Sequence, residues 1–343
     1  MKKIVPPILI LFLCLVTGCG ATATPAPDLV ATQVAVMEAA AATLTAGAPT
    51  PAPTAAVMLT DTPLPAPTAT SLPSASPPPA DTQAPQSTAT ALPPPVGPNL
   101  GQFAVVNVRS NDVLNVRSGP GVEHAVVGTI PYYGVEVAVF AGGQQVAESW
   151  WVPVEYQDVS GWANSGFLAR QVGYGNEQVA ARASEAIMAL KDGDLEELSS
   201  FVHPDKGVRF SPYATVQAGD DGDVVFSADE LKSLMADPTV YHWGTYDGSG
   251  MPIELTFRQY YEEFVYDVDF ARPDVVGFNE RVGQGNSIDN IASAYPDGVM
   301  VEYHFEGFDP EYAGMDWRSL RLVFEEEDGI WYLVGIVHDQ WTT

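Results

Sequence analysis

The chain has 343 residues, two cysteines and a formal net charge of −28 at pH 7. From residue 171 to the end, 33 acidic residues outnumber 10 basic residues. A surface of this charge repels the phosphates of nucleic acids, so the composition excludes nucleic-acid binding. The acidity is also compatible with a cationic ligand, although a merely solvated surface explains it more simply.

The N-terminal segment has the pattern of an export signal. Two lysines precede an apolar run over residues 4–16, which is shorter than the ~20 residues that a membrane-spanning helix needs. The run leads into Val-Thr-Gly-Cys ending at Cys19, which resembles the lipobox of bacterial lipoproteins. That resemblance implies a signal peptide over residues 1–18 and a lipid on the thiol of Cys19. The protein would then be extracytoplasmic and anchored to the cell membrane.

Residues 19–101 are predicted to form a disordered linker. The segment is dominated by Ala, Thr, Pro and Ser, and it contains no Lys or Arg. Such a composition cannot bury enough apolar area to offset the entropy of ordering the chain. We expect a stalk that holds the following domains in or beyond the cell wall. Cys14 belongs to the predicted signal, so the mature chain can form no intramolecular disulfide and no cysteine metal site.

Residues 102–170 are predicted to form a small all-β barrel. Short runs rich in Val, Tyr and Phe alternate with Gly-containing turns, and no helical period is present. The sequence Leu-Asn-Val-Arg-Ser-Gly-Pro-Gly over residues 114–121 resembles the opening signature of bacterial SH3 (SH3b) domains. That resemblance implies an SH3-like barrel that binds cell-wall peptide or peptidoglycan.

The groove of this barrel has candidate residues of the types that dominate binding hot spots, mainly aromatics and arginine. The candidates are Asn115, Arg117, Trp151, Tyr156 and Trp162. For Arg117 and Trp162 a purely structural role is an equal alternative.

Residues 176–343 are predicted to form an acidic α+β domain. A helical face begins near residue 177, and the sequences at residues 194–197, 227–230 and 256–259 resemble helix N-caps or capping boxes. From residue 299 the pattern changes to alternating strands, and the last strand is apolar on both faces, which predicts a central position. We therefore expect helices packed on a curved antiparallel sheet, and a multidomain chain overall.

This order of elements resembles the cystatin-like cone of the nuclear-transport-factor-2-like superfamily. Residues 243–250 and 335–341 also resemble segments of an uncharacterised domain of bacterial lipoproteins, a resemblance that implies no activity. Members of the cone superfamily place acid–base residues in an apolar pocket, where desolvation shifts their pKa values. The corresponding candidates are aromatic walls and two titratable groups: Trp243, Tyr246, Tyr260, Trp331, Asp316 and His338.

Other catalytic and metal-binding patterns are missing from the sequence. No Gly-x-Ser-x-Gly elbow occurs, and the histidines of the last domain lack zinc-ligand spacing. We therefore predict no metal, no cofactor and no enzymatic activity. The predicted function is binding: the barrel to the cell wall, and the last domain to an unknown small molecule or protein. Two alternatives remain, an enzyme acting on a small molecule in the cone and a purely structural spacer.

Overall fold

The structure is a computed structural model, and it describes residues 97–219 and 222–342. The predicted signal peptide, Cys19 and the linker up to residue 96 lie outside the described residues. Those three predictions therefore stay predictions.

The described residues are mostly β-structure with a few helices. The strands are β1 Asn99–Val105, β2 Val113–Arg117, β3 Val126–Pro131, β4 Val137–Phe140, β5 Gln144–Val146, β6 Ser149–Tyr156, β7 Val159–Asn164, β8 Leu168–Val172, β9 Val208–Ser211, β10 Val224–Phe226, β11 Val240–Thr245, β12 Pro252–Thr256, β13 Val275–Phe278, β14 Val299–Phe305, β15 Arg318–Glu327 and β16 Ile330–Gln340. The α-helices are α1 Glu177–Asp192, α2 Leu195–Ser199, α3 Ala228–Leu231, α4 Phe257–Phe264 and α5 Ile291–Ala294.

Strands β1–β8 form the predicted small barrel around an apolar core. The strand order β8-β1-β4-β6-β7-β2-β3 connects neighbours by antiparallel pairing. In β2 the side chains alternate, so that Leu114 and Val116 are buried while Val113, Asn115 and Arg117 lie on the other face. The first strand begins at Asn99, slightly before the expected boundary.

The C-terminal unit packs its helices on the sheet β10-β9-β16-β15-β14-β13. Strand β16 lies between β15 and β9, which is the central position that its two apolar faces predict. The expectation of an antiparallel sheet is wrong at two places, because β16 pairs with β9, and β13 with β8, in parallel. Alternation of apolar residues reports which face is buried and carries no information on strand direction.

Helix starts follow the capping signals in the sequence. Ser227 and Thr256 begin α3 and α4, and each forms a reciprocal capping box with the residue three positions later. Asp194 caps α2 by accepting a hydrogen bond from the backbone N–H of Glu197. Helix α1 begins after Asn176 and ends at Gly193, whose left-handed φ of 66° closes the helix.

The barrel and the C-terminal unit share one sheet, and a few barrel residues belong to the core of the C-terminal unit. Strand β8 pairs with β13 over Arg170–Val172 and Val275–Gly277, which continues the barrel's strand path into the second unit. Ala104 of β1 and Ala180 of α1 belong to the same buried apolar cluster. Ion pairs also cross the boundary, including Arg170 with Glu306 at 2.6 Å. The two units are therefore packed as one body.

Candidate functional site

A groove of about 430 Å³ runs along the barrel beside β2. Its apolar lining consists of Val108, Val113, Leu114, Val122, Trp151 and Phe167. Its polar and charged lining consists of Asn107, Arg109, Asn111, Asp112, Asn115, Arg117 and Asn164. Val122 and Val113 are 73% and 40% exposed, so their side chains are accessible from the groove. The groove therefore combines accessible apolar surface with hydrogen-bonding groups.

Four of the lining residues are asparagines, and they differ in whether their carboxamides already form hydrogen bonds within the protein. Asn107 accepts a hydrogen bond from Lys191 at 3.1 Å, and Asn164 accepts one from the backbone N–H of Gly166 at 2.9 Å. Within the part of the chain that the structure describes, the side chains of Asn111 and Asn115 make no hydrogen bond. A carboxamide offers both donors and an acceptor, which matches the two groups of a peptide bond. These two asparagines can bind the backbone or amide groups of a ligand.

The two arginines of the groove are engaged within the protein. Arg117 donates from Nη1 to the carbonyl oxygens of Val122 and His124, at 2.9 and 2.8 Å, and so fixes the turn after β2. Arg109 forms two hydrogen bonds with the carboxylate of Asp192 in α1, at 2.8 and 3.1 Å. The Asp192 carboxylate raises the pKa of Arg109, and their charges compensate each other. The charge of Arg109 is therefore compensated, whereas the Arg117 guanidinium bonds neutral carbonyl oxygens and has no carboxylate partner among the described residues.

Three of the five groove candidates line this groove and two do not. Asn115, Arg117 and Trp151 line it, and Trp151 is nearly buried, at 5% exposure. Tyr156 is buried in the barrel core instead. Trp162 is half-buried on β7, where it pairs with Pro153 and Arg117 outside the lining. Asn111 and the exposed valines were missed because they lie in turns or at strand ends, where no alternation marks a face.

Two of the four aromatic candidates for the predicted cone pocket, Trp243 and Tyr260, are packed as core residues. The rings of Trp243 and Tyr260 stack with centroids 3.7 Å apart, and their exposures are 1% and 0%. A cavity large enough for water would leave these rings accessible, so the two side chains fill the space between them. Tyr246 is partly exposed and donates to Glu263 at 3.3 Å. Trp331 is also partly buried, at the opposite end of β16 from His338.

The two titratable candidates lie in different surroundings. His338 is fully buried, and its Nε2 lies 3.3 Å from Oδ1 of Asp267. The other carboxylate oxygen of Asp267, Oδ2, accepts a hydrogen bond from Arg318 at 2.9 Å. Phe264 and Phe270 contact the His338 ring edge-on. Asp316 lies in the loop before β15, where its carboxylate accepts the backbone N–H groups of the 308–309 turn. The structure therefore places them apart and gives each a local partner.

A buried charge network lies on the face of β14–β16 opposite to the face that carries His338. Strand register places Glu302 beside Arg321, and Ser319 beside Asp339. Arg321 lies 2.9 Å from Asp339 and 3.2 Å from Glu302, and the side chains of all three are 0% exposed. Asp289 lies 3.7 Å from Arg321. The network therefore holds several charges in the interior of the sheet.

The segment that covers this face is held by the same charges. The carboxylate of Glu302 accepts the backbone N–H groups of Val282 and Gly283, each at 2.9 Å. Arg321 donates to the carbonyl oxygen of Gly283 at 3.0 Å. Arg281 connects the network to a surface groove of about 380 Å³ that it lines together with Asp289. The network thus fastens an irregular segment onto the sheet.

The pKa shifts in the network reflect a competition between burial and ion pairing. Burial opposes ionisation of Glu302, but Arg321, Ser319 and the Val282 N–H outweigh it and lower the pKa. For Asp339 the desolvation prevails, and the pKa is raised despite Arg321. Burial also lowers the pKa of His304, whose Nδ1 lies 2.8 Å from the Ser319 hydroxyl. Burial therefore favours the neutral form of His304.

Two general features hold for residues 97–219 and 222–342. No helix in these ranges is both long and apolar enough to cross a bilayer. In the same ranges, no three His, Cys, Asp or Glu side chains are grouped so that they could hold a metal ion.

Comparison with known proteins identifies the barrel. Residues 112–169 match the family model of the bacterial SH3 domain, which confirms the prediction made from residues 114–121. No curated protein matches the chain significantly.

Among solved structures, the chain is similar to a Xanthomonas campestris protein described as a calcium/calmodulin dependent protein kinase II association domain. The identity is 16%, the match covers 50% of this chain and 92% of that chain, and the TM-score is 0.23. A similarity at this level carries no argument, so the cystatin-like cone stays a prediction.

Proposed function

We infer that the chain is a cell-envelope binding protein whose SH3 barrel recognises cell-wall peptide or peptidoglycan. The observation that carries this proposal is the groove beside β2, which joins exposed valines to the available carboxamides of Asn111 and Asn115. Wall peptides present amide groups and small apolar side chains, and the groove offers partners for both. The match of residues 112–169 to bacterial SH3 domains supports the same class of ligand.

The proposal includes a lipid anchor and a binding role without catalysis. The Val-Thr-Gly-Cys sequence ending at Cys19 supports the anchor, because a cysteine after this pattern is the lipid acceptor in bacterial lipoproteins. A membrane-attached N-terminus followed by a long Pro- and Ala-rich segment would place the barrel near wall polymer. The burial of Trp243, Tyr260 and His338 supports binding at the barrel over chemistry in the last domain.

Sedimentation with purified peptidoglycan tests the proposal. Residues 20–343 should pellet with the polymer, and Asn115→Ala should weaken the apparent affinity about threefold to tenfold, the effect of one lost hydrogen bond. Gln145→Ala is the matched control, because Gln145 is an exposed carboxamide on β5 that does not line the groove. Thermal unfolding confirms that both variants are folded.

The sedimentation result has two outcomes that would overturn the proposal. One is a folded wild-type protein that stays in the supernatant at all salt concentrations. The other is equal binding by Asn115→Ala and Gln145→Ala, which would move the contact away from the groove.

A further inference from the structure

A second cleft, of about 250 Å³, adjoins the barrel groove where the barrel meets the helices. Arg109 and Asn111 line both spaces, so the groove and the cleft meet at these two residues. The far side of the cleft is formed by the C-terminal unit, through Glu185 and Met188 of α1 and Glu197 of α2. We call the groove and the cleft together the trough. It extends from one unit to the other.

Contacts between the two units lie at the middle of the trough. Arg109 and Asp192 form a two-point ion pair across the boundary. Lys191 of α1 donates to Asn107 of the barrel at 3.1 Å, and Asp269 of its own unit lies 2.8 Å from the same ammonium group. Because Asn107 and Arg109, which precede β2, contact α1, the two ends of the trough are adjacent in this structure.

The charges of the trough differ between its two ends. Arg109 is compensated by Asp192, and Glu185 lies 3.4 Å from Arg182 and accepts from a tyrosine. Glu197 is exposed, and within residues 97–219 and 222–342 its carboxylate has no cation within 4 Å. The helix end of the trough therefore carries the negative charge of Glu197 without an ion-pair partner, whereas the barrel end is lined by amides, apolar groups and two opposite charges, Asp112 and Arg117.

We propose that the trough binds an extended peptide of the wall polymer, with amide groups on Asn111 and Asn115 and a primary amine at Glu197. The proposal rests on the wall binding inferred above and adds a chemical requirement, a cationic amine at one end of the ligand. A charge on the C-terminal unit would then select among wall polymers that all fit the barrel. The helices supply this charge because they lie at the edge of the groove.

Peptidoglycan with its free amines acetylated is the test ligand, and untreated peptidoglycan is the reference. Wild-type residues 20–343 should bind the acetylated polymer about threefold to fivefold more weakly, the range of a solvated charge pair, and less so at high salt. Glu197→Gln should bind both polymers equally, at the level of wild type on acetylated polymer. Glu196→Gln is the matched control, because it removes the same charge from the same helix outside the cleft.

Soluble peptides identify the source of the amine. A pentapeptide of alanines with one central lysine should compete with the untreated polymer better than the same peptide with an acetylated lysine. If glucosamine competes and neither peptide does, the amine belongs to the glycan and the peptide assignment is overturned.

The outcomes separate this inference from the proposed function. If acetylation has no effect while Asn115→Ala still weakens binding, the barrel binds the wall and the amine requirement is overturned. If Glu196→Gln has the same effect as Glu197→Gln, the charge acts from a distance and the contact at the cleft is overturned. If untreated polymer does not bind at all, the proposed wall binding is overturned, and the amine requirement with it.

Discussion

Replacing Arg321 by methionine should destabilise the protein far more than replacing an exposed arginine. The Arg321 guanidinium is 0% exposed and lies 2.9 Å from Asp339, 3.2 Å from Glu302 and 3.7 Å from Asp289. Methionine has a similar length and no charge, so Arg321→Met leaves buried carboxylates without their main counter-ion. Removing one partner of a buried ion pair costs about 3–5 kcal/mol of unfolding free energy.

Arg272→Met is the matched control. Arg272 is 59% exposed and its nearest carboxylate oxygen, on Asp269, lies 3.8 Å away. An exposed pair of this kind contributes about 0–1 kcal/mol. The comparison therefore separates the loss of a buried counter-ion from the general effect of losing one positive charge in an acidic protein.

Urea unfolding, followed by tryptophan fluorescence and circular dichroism, gives the free energies of both variants. The loss in Arg321→Met should also shrink as the pH falls. Without the arginine, burial raises the pKa of the Glu302 carboxyl, so the folded variant binds a proton more readily than the unfolded chain, and acid favours the fold. A loss below 1 kcal/mol, or one that grows in acid, would refute this account of the network.

Two further predictions concern single buried polar groups. Tyr260→Phe should raise the melting temperature, because the Tyr260 hydroxyl is buried without a hydrogen-bond partner in the described residues. Tyr132→Phe should lower the melting temperature, because it removes a 2.7 Å hydrogen bond to Glu185. A lower melting temperature for Tyr260→Phe would contradict the first expectation. His304→Gln should reduce the loss of stability on acidification below the ordinary histidine pKa of 6.5, because burial lowers the pKa of His304 and the unfolded chain then binds the extra proton. Melting temperatures at pH 7.5 and 5.5 measure this loss, and an equal loss in wild type and variant would rule out His304 as its source.

Much of the local structure follows from the sequence because short-range rules determine it. The signature over residues 114–121 identifies the barrel, and the capping residues Ser227 and Thr256 begin the helices that they predict. Asn115 and Arg117, two of the thirteen residues that line the groove, could be anticipated in the same way, since they alternate with buried residues of β2. Asn111 lies in a turn, where the sequence has no such period.

The buried network could not be predicted because it depends on long-range register and on an irregular covering segment. Alternation places Glu302 and His304 on the polar face of β14, which is equally compatible with solvent. Pairing brings Glu302 to Arg321, and Ser319 to Asp339, only once the strands are aligned. The cover comes from residues around Gly283, a stretch without helical or strand periodicity. The trough depends in the same way on how two units dock.

The parallel pairing of β8 with β13 has a consequence for dissecting the chain. All four residues of β13, Val275–Phe278, are buried, and the barrel occupies the edge that this strand would otherwise present to solvent. A C-terminal fragment that begins after β8 would expose a short apolar edge with unpaired backbone groups, a ready template for intermolecular β-sheet. Such a fragment should aggregate or dimerise through β13. The barrel therefore also protects the rest of the protein from self-association.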